Sequence, residues 1–351
     1  MNILAIETSC DETAAAVVTD TGEVLSNVVA SQIKDHAAFG GVVPEIASRR
    51  HTELIEPVVR ETLEQAGITA GEVGAIAVTQ GPGLVGALLV GISYAKALAY
   101  GLGIPLCGVN HLEGHLSAAR IGHEVTYPHI GLVVSGGHTS LYKVMSPSSI
   151  EQIGQTLDDA AGEAFDKVAK LLYLGYPGGV VIERISKGVD PRAIDFPRPL
   201  INDGTYDFSF SGLKTAVLNR VLKDGVFDEM DLAFSGLPAK KSPRPGKEAR
   251  VLEIAASFQQ AVVDVLVAKA FRAVMDHGLD LLVVAGGVAS NAALRESLRE
   301  FSLKSGIRLI IPEKVYCTDN AAMIGIAAIR HVREGRFASL DLNAISRWTW
   351  E

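Results

Sequence analysis

The chain has 351 residues, 48% of them hydrophobic and 21% charged, which is enough to bury a sizeable core and to fill two domains. Its net charge of −8 excludes a protein that wraps nucleic acid with its whole surface, because phosphate contacts need clustered Lys and Arg. Three scattered cysteines, Cys10, Cys107 and Cys317, have neither metal-ligand spacing nor the even count of a disulfide framework.

Asn2 to Ile6 reads as a buried strand, Glu7 to Thr13 as a small polar loop, and Ala14 to Thr19 and Glu23 to Ala30 as two further strands joined at Asp20-Thr21-Gly22. The start lacks the basic region and cleavage site of a secretory leader. Pro44 to Ala66 carries apolar residues at helical spacing, opened by a proline and stopped by Gly67. Ala75 to Thr79 is a strand, Gln80-Gly81-Pro82-Gly83 a loop, Val85 to Tyr100 a helix and Pro105 to Val109 a strand. The most apolar run, Val85 to Val109, is interrupted by Tyr94, Lys96, Tyr100 and glycines, so no membrane span is expected, and the odd, scattered cysteines fit a reducing cytoplasm.

His111-Leu112-Glu113-Gly114-His115 starts the next helix and puts its two histidines at i and i+4, one turn apart on one face. Such a pair can hold a metal; the alternative is two histidines satisfied by hydrogen bonds near a helix start. A zinc protease needs glutamate directly after the first histidine, where this chain has Leu112. Glu113 lies roughly 200° round the helix from His111 and so points away from anything the histidines hold.

The order then begins again with strands His129 to Val134, Thr139 to Val144 and Ile150 to Thr156, a helix from Ala160 to Leu174, strand Leu281 to Ala285, a helix to Leu303, strand Arg308 to Ile311 and a last helix from Asn320 to about Val332. Two copies of one plan are expected to face one another across a cleft. The first domain is expected over 1–127, with the helix at about 319–335 packing back on it. The second spans 128–318, with a loop-rich insertion at about 175–250 that includes an exposed loop from Leu237 to Lys247. Arg49-Arg50-His51 and Lys240 to Arg250 are local basic patches that read most simply as solvated faces.

Ser135-Gly136-Gly137 and Gly286-Gly287 are loops of the kind whose amides hold phosphate, and at matching places in two repeats they favour a nucleotide. Asp166, on the polar face of its helix, could accept ribose hydroxyls or pair with Lys170. Asp319 reads best as the cap of the last helix and otherwise as a third, oxygen ligand beside two imidazoles.

Eight ordered motifs carry a resemblance over nearly the whole chain. They are Ile6-Glu7-Thr8-Ser9-Cys10-Asp11-Glu12-Thr13, Gln80-Gly81-Pro82-Gly83-Leu84, His111 to His115, Val134-Ser135-Gly136-Gly137-His138-Thr139, Gly162-Glu163-Ala164-Phe165-Asp166-Lys167, Phe208-Ser209-Phe210-Ser211-Gly212-Leu213-Lys214, Ala285-Gly286-Gly287-Val288 and Cys317-Thr318-Asp319-Asn320. Together they resemble the bacterial TsaD family, once called glycoprotease. The resemblance implies an α/β, actin-like, Hsp70-like and sugar-kinase-like (ASKHA) duplicated fold. It implies transfer of a threonylcarbamoyl group from threonylcarbamoyl-AMP to N6 of the adenosine beside the anticodon, in tRNAs reading codons that begin with adenine.

By the same resemblance the metal ligands are His111, His115 and Asp319, with iron or zinc as the ion, and the adenylate is held by Val133, Val134, Ser135, Gly136, Gly137, Asp166, Gly179 and Asn291. Where the family usually continues Gly-Gly-Pro, this chain has Gly178-Gly179-Val180. The implied partners are tRNA, TsaB-like and TsaE-like proteins, and a separate synthase that supplies the donor. An adenine amine is a poor nucleophile, so positioning and an activated acyl donor must carry the reaction; Asp11 or Glu12 could receive its proton, or serve only in loop hydrogen bonds. A metalloprotease and an ATP-dependent small-molecule kinase are the competing readings; Leu112 opposes the first, and the second gives no reason to pair histidines.

Overall fold

A computed structural model describes residues 1–227 and 241–348. Its contacts divide into two compact units: Met1–His36, Val42–Val125 and Pro312–Glu351 form one, Ala37–Gly41 and Thr126–Ile311 the other.

The first unit is built on strands β1 (Asn2–Glu7), β2 (Glu12–Thr19), β3 (Val24–Ser31), β4 (Val73–Gly81) and β5 (Leu106–Asn110), in the order β3-β2-β1-β4-β5. β1 pairs antiparallel with β2 and parallel with β4, with Leu4 opposite Val17 on one side and Ile76 on the other. Being central, β1 is covered on both faces, which is why it reads as an unbroken apolar run. After a single turn, α1 (Ile33–His36), come α2 (Pro44–Ala66), α3 (Val85–Leu102) and α4 (His111–Ala118). Leu4, Ile6, Ala15 and Val17 face Ile55, Val58 and Val59 of α2 and Leu88 and Ile92 of α3. α2 ends at Gly67 in the left-handed conformation, φ 68°.

The second unit repeats the plan with β6 (His129–Val134), β7 (Thr139–Ser146), β8 (Ser149–Gln155), β9 (Leu281–Ala285) and β10 (Arg308–Ile310), in the order β10-β9-β6-β7-β8. Central β6 again takes an antiparallel neighbour, β7, and a parallel one, β9. Its helices are α5 (Ala161–Leu171), α6 (Gly178–Ser186), α7 (Ser211–Lys223), α8 (Glu248–Asp276) and α9 (Ala292–Ser305).

α6 and α7 lie inside the segment expected to be loop-rich, and α8 is a helix of 29 residues that the sequence pattern did not reveal. The reason is burial: α8 is apolar nearly all round, so it lacks the polar stripe that marks an amphipathic helix. Its one fully buried cation, Lys269, is paired with Asp203 Oδ1 at 3.0 Å and donates hydrogen bonds to the carbonyl oxygens of Thr205 and Asp207. The part of the expected Leu237–Lys247 loop up to position 240 lies outside the described residues; from position 241 to α8 the chain has no regular element until Glu248.

The chain returns to the first unit with α10 (Ala321–Arg333), whose Ala321, Ala322, Ile324 and Ala328 cover the other face of the first sheet, against Ile3, Ala5, Ala16 and Val18. α3 and α8 are both long and apolar enough to cross a membrane by length and composition, but 72% of the tested stretch of α8 is buried inside the protein. α3 lays one face on α2 and β4.

Candidate active site

The side chain of Asn110 starts α4 by accepting from the backbone N–H groups of Leu112 at 2.8 Å and Glu113 at 3.2 Å. The helix therefore begins at His111, and the i, i+4 spacing brings the rings of His111 and His115 to 4.7 Å between centroids. α4 is held close against α10 at Gly114, where a Cβ would come within 2.7 Å of Ile324 Cδ1. That approach brings the segment just before α10 over the histidine pair. Asp319 Oδ1 stands 3.6 Å from His111 Nε2 and 3.2 Å from His115 Nε2.

Asp319 is not the helix cap that the sequence favoured. Asn320 takes that task, accepting from Met323 N–H at 3.0 Å, because its own backbone is extended where the helix begins. Asp319, one residue earlier, faces the histidines.

One ligand atom from each of His111, His115 and Asp319 lies within 4.8 Å of the others. Donors held at about 2.0–2.2 Å from a common ion in tetrahedral array stand roughly 3.3 Å apart, and the carboxylate–imidazole separations bracket that value. His115 is fully buried: its Nε2 faces the Asp319 carboxylate without a well-formed hydrogen bond and its Nδ1 has no hydrogen-bond partner among the described residues, a costly state unless something else uses the ring's lone pair. These residues fit a metal ion.

Glu7 had no separate role in the sequence reading. It is completely buried and accepts from Ser9 N–H at 2.5 Å, from the Thr79 hydroxyl at 2.7 Å and from His111 Nδ1 at 2.9 Å. A carboxylate on Nδ1 fixes that nitrogen as the donor and turns Nε2 outward as a ligand. Burial works to discharge the His111 imidazolium, but Glu7 and Asp319 outweigh it and hold its pKa at about 9 in the metal-free chain. The only hint in the sequence was an acid closing an apolar strand.

Glu113 points away from the pair, as its position on the helix predicts. It is buried against α10, accepting from Arg330 Nη2 at 2.7 Å with His331 Nε2 at 3.7 Å. Glu113→Gln is expected to retain substantial transfer activity and full metal content while losing about 1.5–3 kcal/mol of stability, the worth of a hydrogen bond to a charged group. Urea denaturation beside an activity assay reads both; activity lost by the factor of roughly 10²–10⁴ typical of a missing general base would show the glutamate facing the chemistry.

Asp11 and Glu12 lie where β1 gives way to β2. Burial, then the charges of Asp11 and Asp319, pushes the Glu12 carboxyl well above the usual carboxylate range, and Ser31 Oγ donates to it at 3.1 Å. Arg49 and Arg50 form a weaker basic patch than the sequence suggests, since Arg50 is paired with Asp35 at 3.1 Å and with Glu53 at 2.5 Å.

In the second unit, Val133 and Val134 end the central strand β6 and are completely buried. Ser135 N–H donates to the carbonyl of His138 at 2.8 Å, closing a loop whose Gly136 and Gly137 are exposed. Among the described residues no hydrogen bond engages the N–H of either glycine, and nothing lies within 4 Å of a Cβ placed on them. The start of α5 sits directly on this loop: a Cβ on Gly162 would come within 2.6 Å of the Ser135 carbonyl oxygen. Unused amides beside a helix N-terminus suit an anion.

Asp166 Oδ1 accepts from Gly178 N–H at 2.7 Å, so it ties the start of α6, with Gly179, to α5. Asn291 caps α9 by accepting from Leu294 N–H at 3.1 Å and donates to Gln259 Oε1 at 2.8 Å, a structural task that the sequence did not announce.

A family model described as TsaD, tRNA N6-adenosine threonylcarbamoyltransferase, matches residues 23–326. The tRNA N6-adenosine threonylcarbamoyltransferase of Geobacter sulfurreducens is 53% identical over 348 residues, which is 99% of this chain and 97% of that protein. The protein of the same name from Clostridium botulinum is 52% identical over 98% of this chain and 96% of its own length. Among solved structures, HypF superposes with a TM-score of 0.59 at 16% identity, covering 95% of this chain and 46% of HypF. The activator of 2-hydroxyisocaproyl-CoA dehydratase from Clostridium difficile does so with a TM-score of 0.52 at 11% identity, covering 96% of this chain and 97% of its own. At those identities the likeness speaks for the fold alone, which is the duplicated actin-like one that the repeated strand order displays.

Proposed function

This chain belongs to the TsaD family of tRNA N6-adenosine threonylcarbamoyltransferases, and from that membership we propose that it moves the threonylcarbamoyl group of threonylcarbamoyl-AMP onto N6 of the adenosine 3′ of the anticodon. The observation that carries the chemistry is the His111–His115–Asp319 group, two buried imidazoles and a partly exposed carboxylate whose ligand atoms lie within 4.8 Å of one another. His111, His115 and Asp319 would hold one divalent ion, iron or zinc. Once bound, that ion would supply the Lewis acidity that polarises the carbamoyl carbonyl.

Everything else falls to the chain. Glu7 holds His111 in the ligating orientation. The amides of Gly136 and Gly137 would take the adenylate phosphate, with Val133, Val134 and Ser135 setting the end of the strand from which that loop springs. Asp166 and Gly179 would meet the ribose, and Asn291 would close the loop opposite. Asp11 or Glu12 would receive the proton that leaves the adenine amine as the N–C bond forms, the carbamoyl C–O bond to the phosphate breaks and AMP departs. The target base lies in an anticodon loop, whose unpaired nucleotides can be splayed out to a protein.

TsaB-like and TsaE-like proteins would assist, with a separate synthase supplying the donor, in the cytoplasm. Val85, Leu89 and Tyr100 of α3 are 49%, 41% and 76% exposed and would offer apolar contacts to a protein partner.

Purified chain, partner proteins, threonylcarbamoyl-AMP and unmodified tRNA should yield threonylcarbamoyladenosine on digestion of the tRNA to nucleosides. Metal-dependent peptide cleavage abolished by Glu113→Gln, with no modified nucleoside, would sink the reading in favour of a protease.

A further inference from the structure

Behind the segment Ser9–Thr13, where the loop after β1 enters β2, lies a buried polar group of side chains to which the reaction as described gives no part. His51 of α2 is fully buried, with Nε2 3.0 Å from the carbonyl oxygen of Cys10 and Nδ1 2.7 Å from Thr13 Oγ1. A carbonyl only accepts, so Nε2 carries the proton and Nδ1 accepts from the Thr13 hydroxyl. Burial lowers the His51 pKa and keeps the ring neutral, the only form that donates at one nitrogen and accepts at the other.

Gln32, the residue after β3, grips the same segment. Its backbone N–H donates to the Asp11 carbonyl at 3.0 Å, and its side-chain Nε2 stands 3.4 Å from His51 Nδ1. Its Oε1 faces His36 Nε2 at 3.3 Å, and His36 Nδ1 accepts from Val43 N–H at 3.3 Å, so the clamp is tied into the chain entering α2. Cys10 and Asp11 on one side of Glu12 and Thr13 on the other are thereby held by side chains or backbone from two other elements.

We propose that His51 is a positioning residue: by fixing the carbonyl of Cys10 and the hydroxyl of Thr13 it sets where the Asp11 and Glu12 carboxylates stand when the adenine amine attacks. This rests on the transferase reading above. A site misplaced by about 1 Å loses on the order of 10²-fold in rate, whereas a histidine that only filled space would be replaceable by leucine at little kinetic cost.

The test compares His51→Leu, His51→Gln and Thr13→Val in the full chain, with threonylcarbamoyl-AMP, unmodified tRNA and the partner proteins, measuring kcat, the KM for each substrate, bound metal and Tm. His51→Leu should lose about 100-fold in kcat with metal content and both KM values near those of the parent. His51→Gln, which keeps an amide donor for the Cys10 carbonyl, should recover to within about 10-fold of the parent. A folded His51→Leu within 3-fold of the parent's kcat, a rate loss matched by metal loss, or a glutamine variant as impaired as the leucine one, each overturns the proposal. If His51→Leu does not fold, Thr13→Val decides: a loss of about 10-fold in kcat with metal retained upholds it, and parental kcat overturns it. A parent chain that makes no modified nucleoside would remove the transferase reading instead, an outcome separate from any of these.

Discussion

His111→Ala and Asp319→Ala should each lose bound metal, by more than about 100-fold in affinity, and with it transferase activity, while remaining folded. Each removes one of three donors from a centre that the chain assembles from two elements, α4 and the segment before α10. The fold should survive because the groups left behind keep other partners. Without His111, Glu7 still accepts from Ser9 N–H and from the Thr79 hydroxyl. Without Asp319, α10 still begins at Asn320. Glu7→Gln should fall between parent and ligand variants, with metal affinity reduced about 10- to 100-fold, since it frees His111 to turn without deleting a ligand. Elemental analysis of the purified variants, alongside circular dichroism, reads metal and fold separately. Metal content unchanged from the parent in Asp319→Ala would take that residue out of the ligand set.

The second large effect concerns the donor. Gly136→Val should obstruct approach to the N–H groups of Gly136 and Gly137, and because nothing lies within 4 Å of its Cβ position the substitution should leave the fold undisturbed. Asp166→Ala removes an acceptor whose bond to a ribose hydroxyl would be worth about 1.5–3 kcal/mol, which predicts donor affinity weakened by roughly ten- to a hundred-fold. It also unties Gly178 at the start of α6, so Asp166→Asn, which keeps an oxygen for that N–H, separates the two effects. tRNA binding should change little in any of the three. Calorimetric titration with a non-hydrolysable adenylate analogue measures them, and undiminished affinity in both Gly136→Val and Asp166→Ala would mean that the phosphate and ribose bind elsewhere.

Much of this was written in the sequence because it depends on local rules. The unbroken apolar runs of β1, β2 and β6, the proline that opens α2 and the glycine that ends it, and the repeated order of strands and loops are each decided within a few residues. So is the pairing of His111 with His115, which needs only a helix, and the turning away of Glu113, which follows from the same helix.

What only the tertiary structure decided depends on chain segments meeting from far apart. α8 was hidden because burial on all sides erases the amphipathic stripe that betrays a helix. Glu7 reads as one more loop acid until β1, β4 and α4 close round it, with Ser9, Thr79 and His111 all donating to its carboxylate. The choice between Asp319 and Asn320 as helix cap turned on one residue of backbone extension, which no side-chain preference distinguishes, since both are good caps. His51 stood in a sequence of cations as part of a basic patch, and only the packing of α2 on the first sheet turned its ring inward to the carbonyl of Cys10.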